Sequence, residues 1–248
     1  MELNICHLYP DVLNLYGDRG NILCFRRRLE WRGMKVKVTE MPIGSGSSLA
    51  GFDLIFIGGG QDFEQETLLA DLQKGKDASL RSAIADGVTV LAICGGYQML
   101  GNYYETHDGV RCAYIGAVDF HTVGKEPRLI GNYMFRCAPE SGGSVVVGFE
   151  NHSGRTVLGP GVSPLGTVLA GFGNNGEDGT EGVRFRNVFG TYSHGPLLPK
   201  NPELCDTILA TALERKYGAA RLSPLPDRAE KQAHDELAKR LKKGGSMK

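Results

Sequence analysis

The stretch Val88–Gly101, VTVLAICGGYQMLG, constrains this chain more than any other. Apolar and β-branched residues run from Val88 to Ile93, the pattern of a strand buried on both faces. Cys94 follows, then Gly95 and Gly96, then Tyr97, Met99 and Leu100 with helical character. A strand that stops at a nucleophilic side chain and turns at once into a helix is a nucleophile elbow. Its strained turn needs small neighbours, and two glycines supply them. Sulfur placed there faces the unpaired amides of a helix start, which favour thiolate over thiol and can hold an oxyanion. A cysteine simply buried ahead of a glycine turn fits the same residues, so the rest of the chain has to decide.

On either side the chain alternates strands and helices. Leu3–Leu8 reads as a first strand, and Tyr9–Gly20 is turn-rich. Asn21–Trp31 carries Ile22, Phe25, Leu29 and Trp31 at helical spacing, and Gly33 ends it. Met34–Val38 alternates as a second strand, Gly44–Gly51 is a Gly/Ser loop, and Phe52–Ile57 is a buried strand running into three glycines. Gln61–Asp86 reads as two helices broken near Gly75. The order predicts an α/β fold, a mostly parallel sheet flanked by helices. From Gly109 to Arg186 the texture changes to antiparallel hairpins, either a separate β layer or an extension of the same sheet. Val188–His194 is another short strand, ending at a histidine. Asn201–Tyr217 is a helix begun by Asn-Pro. One domain is expected over 1–223. Past Pro224 and Pro226, residues 224–248 form a charged C-terminal helical extension of weak amphipathicity.

Composition excludes several partners. The 28 Lys and Arg balance 28 Asp and Glu, and the signs are mixed along the chain. That argues against nucleic acid or an anionic membrane surface. No apolar run approaches the ~18 residues that span a bilayer, and MELNICHLYP is no signal peptide. Six scattered cysteines without a C-x-x-C pair point to thiols in a reduced, cytoplasmic protein. No metal site is expected.

A cysteine nucleophile needs a base and oxyanion donors. Of six histidines, His234 lies in the charged tail and reads as solvated. His7, His107 and His121 sit in or near strands and read as structural. His194 ends an apolar strand ahead of Gly195-Pro196, so its ring should emerge at the carboxyl edge of the sheet, where Cys94 also emerges and where α/β folds do chemistry. His152, in FENHSGRT, is the reserve.

AICGGYQMLG, with His194 about a hundred residues later, resembles the class I (triad-type) glutamine amidotransferases. More narrowly it resembles the branch found in the cobyric acid and cobyrinate amide synthases. LYPDVLNLYGDRGN, IGGGQDFEQ, FENHSGRT and GTYSHGPLLPKNP carry the similarity over nearly the whole chain. The resemblance implies a flavodoxin-like fold in which Cys94 attacks the side-chain amide of L-glutamine and His194 moves the proton. It implies an oxyanion hole of backbone amides from Gly59, Gly60 and Gly95, a glutamine contact at Gln98, and an arginine, Arg128, on the substrate. Read without it, Arg128 is a solvated hairpin charge.

The chain has no G-x-x-x-x-G-K-[ST], and the resemblance implies no cofactor here. The resemblance further implies that ATP and Mg belong on a separate Mur-ligase-like subunit, in a heterodimer, that would take the ammonia to the D-glutamate α-carboxylate of lipid II and make D-isoglutamine for peptidoglycan. Another acceptor, such as a corrinoid precursor, and a catalytically silent regulatory subunit are the alternatives. Two departures stand out. Ala92 replaces a common glycine, and Pro196 occupies the place of the usual glutamate two residues after the histidine. Glu203, Asp206 or a carboxylate from the partner could take that glutamate's part.

Overall fold

Strands Leu54–Ile57 (β3) and Thr89–Ile93 (β4) are buried at every position, so they can only lie in the middle of a sheet covered on both faces. In the computed structural model, which describes residues 1–60, 65–219 and 221–244, that is where they sit. Glu2–Leu8 (β1) pairs with β3 and with Lys35–Met41 (β2), while Val188–Thr191 (β12) pairs with β4. The order is β11-β12-β4-β3-β1-β2, and every pair is parallel except the edge strand Val183–Phe185 (β11). Arg19–Glu30 (α1) packs on β2 and on Pro202–Tyr217 (α6), which also touches β4. This is the expected α/β sheet, with crossovers long enough to carry helices.

Residues between Gly101 and Gly182 build a second sheet rather than extending the first. Tyr103–Glu105 (β5), Arg111–Ala113 (β6), Phe120–Cys137 (β7), Val145–Leu158 (β8), Gly166–Ala170 (β9) and Thr180–Glu181 (β10) make it up. Its centre is the long antiparallel ribbon of β7 and β8, with a register shift between Gly124 and Leu129. The ribbon reaches the first sheet where Phe149 bridges His194. One continuous core runs through both sheets, including Phe135 and Val146 from the ribbon and Leu91 from β4.

Between β3 and β4 the expected pair of helices is Gln65–Asp71 (α2) and Asp77–Ala85 (α3), joined by a wide turn in which Gly75 takes φ +110°. The Gln61–Glu64 part of that expectation lies outside the described residues. As expected, Asn201 opens α6 ahead of Pro202, though without a side-chain cap. Its side chain instead accepts Val147 N–H at 2.9 Å and donates to Val147 and Leu197 carbonyls, stapling α6 to β8. The C-terminal helix Arg228–Gly244 (α7) differs more. Leu237, Ala238 and Leu241 form one stripe that packs on Met134, Val145, Val147 and Ala170, so one face of the helix is docked on the ribbon while the rest stays exposed. Its approach is fixed by Arg28, whose guanidinium donates to both Asp206 and Asp227 at 2.7–2.8 Å. His234 is half-buried on the Lys200 carbonyl at 3.0 Å. All six cysteines are free thiols, and no helix among the described residues is long and apolar enough to cross a membrane.

Candidate active site

Cys94 ends β4 with φ +46° and ψ −107°, a left-handed conformation that costs about 1–3 kcal/mol and persists only where neighbours enforce it. The enforcement is visible. Cys94 N–H donates to Thr191 at 2.8 Å, and Gln98 N–H donates back to the Cys94 carbonyl at 2.8 Å, starting the short helix Gly95–Gln98 (α4). A Cβ on Gly96 would lie 2.6 Å from the Gly58 carbonyl and 2.9 Å from that of Ile57. Only glycine lets the helix start rest on the end of β3. The turn has the sharp strand-to-helix geometry that the sequence predicts.

His194 follows from the neighbouring strand. Thr191 pairs with Ile93, and His194 N–H donates to Phe149 at 2.8 Å, which fixes the residue over the same sheet edge. Its ring is fully buried, and burial lowers its pKa to about 3, so it is neutral in this state. Neither ring nitrogen has a hydrogen-bond partner. Nδ1 lies 3.8 Å from Asp18 Oδ2. Asp18 is itself fully buried and accepts the Gly59 N–H at 2.7 Å. Burial pushes its carboxyl up to about 7, while the Gly59 bond works in the opposite direction. Tyr16, held at φ +55° in the turn Leu15–Gly17, lays its ring 4.9 Å from that of His194. Its hydroxyl accepts from Asn151 Nδ2 at 2.5 Å, and Asn151 in turn accepts from Arg128, through Oδ1 at 3.0 Å and its carbonyl at 3.2 Å. The loop ahead of α1 and the ribbon therefore close over the histidine together.

The sequence-predicted residues fall out as follows. Cys94, His194, Gly59, Gly60 and Gly95 meet at one sheet edge, but the Gly59 amide is committed to Asp18 and so does not point freely at an oxyanion. Gln98 lies one turn past the nucleophile, 3% exposed, and donates through Nε2 to Tyr192 Oη at 3.2 Å. Arg128 lines a cavity of about 360 Å³ with Lys125, Glu126 and Ser153. The reserve base His152 is stacked flat on Tyr192 at 3.6 Å, its Nδ1 bonded to the Gly154 carbonyl at 2.7 Å. His7 is buried against Phe56, His121 stacks on Tyr103, and His107 is exposed beside Asp108. Neither carboxylate weighed as an orienter faces His194. Glu203 reaches outward to Lys231 at 3.3 Å, and Asp206 is taken by Arg28 and Arg32. Pro196 explains its own presence by packing on α1, where a Cβ at Gly20 would come within 2.5 Å of its ring.

Asp18, Tyr16 and Asn151 were not singled out from the sequence. The first two sit inside YPDVLNLYGDRG, whose turn-forming composition hides them. Among the described residues no group of His, Cys, Asp and Glu could hold a metal.

Comparison with known proteins places the chain in a family. Residues 4–202 match the CobB/CobQ-like glutamine amidotransferase domain. The chain is 44% identical to the lipid II isoglutaminyl synthase (glutamine-hydrolyzing) subunit GatD of Staphylococcus aureus, over 96% of each chain. It is 42% identical to the subunit of the same name from Streptococcus pneumoniae, over 88% of this chain and 83% of that one. A cobyric acid synthase of Pelotomaculum thermopropionicum is 34% identical over 78% of this chain but only 37% of its own length. Among solved structures, PurLQS and a glutamine amidotransferase, both from Thermotoga maritima, superpose with TM-scores of 0.58 and 0.55. They cover 86% and 99% of this chain, each with 99% of its own length, at 15% and 14% identity, a likeness of fold.

Proposed function

Because the chain belongs to the CobB/CobQ-like glutamine amidotransferase family, we propose that it is the glutamine-hydrolysing subunit of a lipid II isoglutaminyl synthase, working in the cytoplasm. The observation that carries the reading is Cys94, held at a strained elbow on the strand beside the one that delivers the buried His194.

In this reading glutamine enters with its α-carboxylate on Arg128, where a guanidinium fork suits a planar anion. His194 takes the Cys94 proton and the thiolate attacks the side-chain amide carbon. The oxyanion is met by amides at the start of α4, that of Gly95 first, with Gly60 opposite. Ammonia leaves with the proton returned by His194. Water, deprotonated by the same ring, then cleaves the thioester and frees glutamate. Gln98 is held in place for substrate by Tyr192. The activation of the acceptor carboxylate falls to a Mur-ligase-like partner with ATP and Mg, since this chain carries no P-loop.

The test is glutamate release and mass spectrometry of the lipid II stem peptide, using this chain with its ligase partner. Cys94→Ala should lose at least ~10³-fold in glutamine-dependent turnover and keep amidation from added ammonia. Glutamate release within tenfold of wild type would remove Cys94 as nucleophile. Glutamine hydrolysis with an unchanged stem peptide would remove lipid II as acceptor.

A further inference from the structure

We propose that Cys24 and Cys205 form an oxidative modification site, where a hydroperoxide closes a disulfide that staples α1 to α6. Cys24 S–H donates to Cys205 Sγ at 3.7 Å, across the face where the two helices pack. Bonded sulfurs lie about 2.05 Å apart, so these two have about 1.7 Å left to close.

The thiols differ in access, as an attacking and a resolving sulfur should. Cys205 is fully buried, and burial, followed by the hydrogen bond from Cys24, raises its pKa. The charge of Arg28, one turn beyond Cys24 on α1, works against that rise and favours the thiolate. Cys24 is half-buried and lines a cavity of about 290 Å³ beside Leu23, Trp31 and Pro199. Leu23 and Trp31 are themselves more than half exposed, so a small uncharged peroxide has a way in. Cys6 and Cys137 lack such a route, and burial pushes each of them up to about 12.

The chemistry balances. Cys24 sulfur attacks one oxygen of the peroxide, the O–O bond breaks, and the departing hydroxide takes the thiol proton to become water. Cys24 is then a sulfenic acid. Cys205 sulfur attacks the Cys24 sulfur, the S–O bond breaks, and the second hydroxide leaves as water with the Cys205 proton. The sulfurs together lose two electrons, and the peroxide gains them. In a reducing compartment small thiols reverse the bond, so it lasts only while oxidant is present.

The bond falls where it constrains the frame of the site. One turn before Cys24, Asn21 Oδ1 accepts Leu198 N–H at 2.9 Å, and Gly20 carries the ring of Pro196. Cys205 lies in the first turn of α6, its N–H on the Asn201 carbonyl at 3.1 Å. The segment that follows His194 is therefore seated on α1 at one end and runs into α6 at the other. Joining the helices fixes that seat.

The test maps the bond in the full wild-type chain. The protein is treated with hydrogen peroxide at neutral pH, its remaining thiols are alkylated, and it is cut with trypsin without reductant. Mass spectrometry should find Gly20–Arg26 joined to Asn201–Arg215, lighter than their sum by two hydrogens. Dithiothreitol should separate them. The cysteines are 181 residues apart, and closing a long loop should raise the melting temperature by about 4–16 °C over that of peroxide-treated Cys24→Ser. Two unreacted thiols, Cys24 carried on to sulfinic acid with Cys205 still free, or Cys205 bonded to another cysteine overturns the proposal. So does a cross-linked chain that melts no higher than the treated variant. The peptide map uses wild type alone, so it decides the matter even if Cys24→Ser does not fold.

Discussion

Replacing Gly59 with alanine adds one methyl group where the end of β3 meets His194. The backbone tolerates it, since Gly59 is not in the left-handed region. The space does not. The new Cβ would lie 2.5 Å from His194 Cε1 and 3.2 Å from Nδ1, whereas carbon pairs settle near ~3.5 Å. The ring must retreat by about 1 Å, yet its backbone is tied to Phe149 and its face is covered by Tyr16. A displacement of that size at the reacting centre costs about 10²-fold in rate, while local overpacking costs about 1–3 kcal/mol of stability. At about 2–4 °C per kcal/mol for a chain of this size, the melting temperature should drop by roughly 2–12 °C. Steady-state glutamate production with the partner subunit should show kcat down about a hundredfold and KM little changed, because the added methyl group meets His194 and Asp18 first. A folded Gly59→Ala protein with kcat within threefold of wild type would refute the argument, either because the ring slides freely or because it is not the base.

His194→Ala should be as damaging as Cys94→Ala, while His152→Ala should spare more of kcat and lower stability through its lost stack on Tyr192; a glutaminase assay showing the reverse order reassigns the base. Arg128→Ala should raise the glutamine KM about 10–150-fold, the worth of a charge-assisted contact of about 1.5–3 kcal/mol, and leave Cys94 alkylation unchanged. An unaltered KM would limit Arg128 to holding Asn151. Arg28→Met breaks a nearly buried pair with Asp206 and Asp227, a class of change costing about 3–5 kcal/mol. Asp206 is about a quarter exposed, so the low end is expected in denaturant unfolding, and a loss under ~1 kcal/mol contradicts it. Since Arg28 and Arg32 hold Asp206 below the usual carboxylate range, this stability is present above pH ~4 and fades below it. Variant and wild type should therefore converge in acid.

The elbow was legible because its constraints are local. A buried strand, a cysteine and two glycines at its end can satisfy each other in few ways, and Cys94 duly takes its strained angles. β3 and β4 were legible as uninterrupted apolar runs. Asp18 was hidden by its position. Beside Arg19 it looks like a helix cap, yet its side chain caps nothing and turns 41 residues along the chain to Gly59. Asp206 was misleading for the converse reason, being close to His194 in sequence while α6 carries it to Arg28. The docking of α7 rests on three apolar residues among many charges, and no periodicity reveals that a matching apolar surface waits on a distant ribbon.

The site draws on four neighbouring strands of the first sheet, with Asp18 after β1, Gly59 after β3, Cys94 after β4 and His194 after β12. In the order of synthesis these arrive very unevenly. Cys94 leaves the ribosome a hundred residues ahead of His194, about 5–20 s at usual rates of translation. Through that interval β4 is an edge, and it gains its partner only when β12, made after the whole second sheet, slides in beside it. The nascent chain thus carries the Cys94 thiol for seconds without His194 beside it, and the two meet in the same step that covers the open edge of β4.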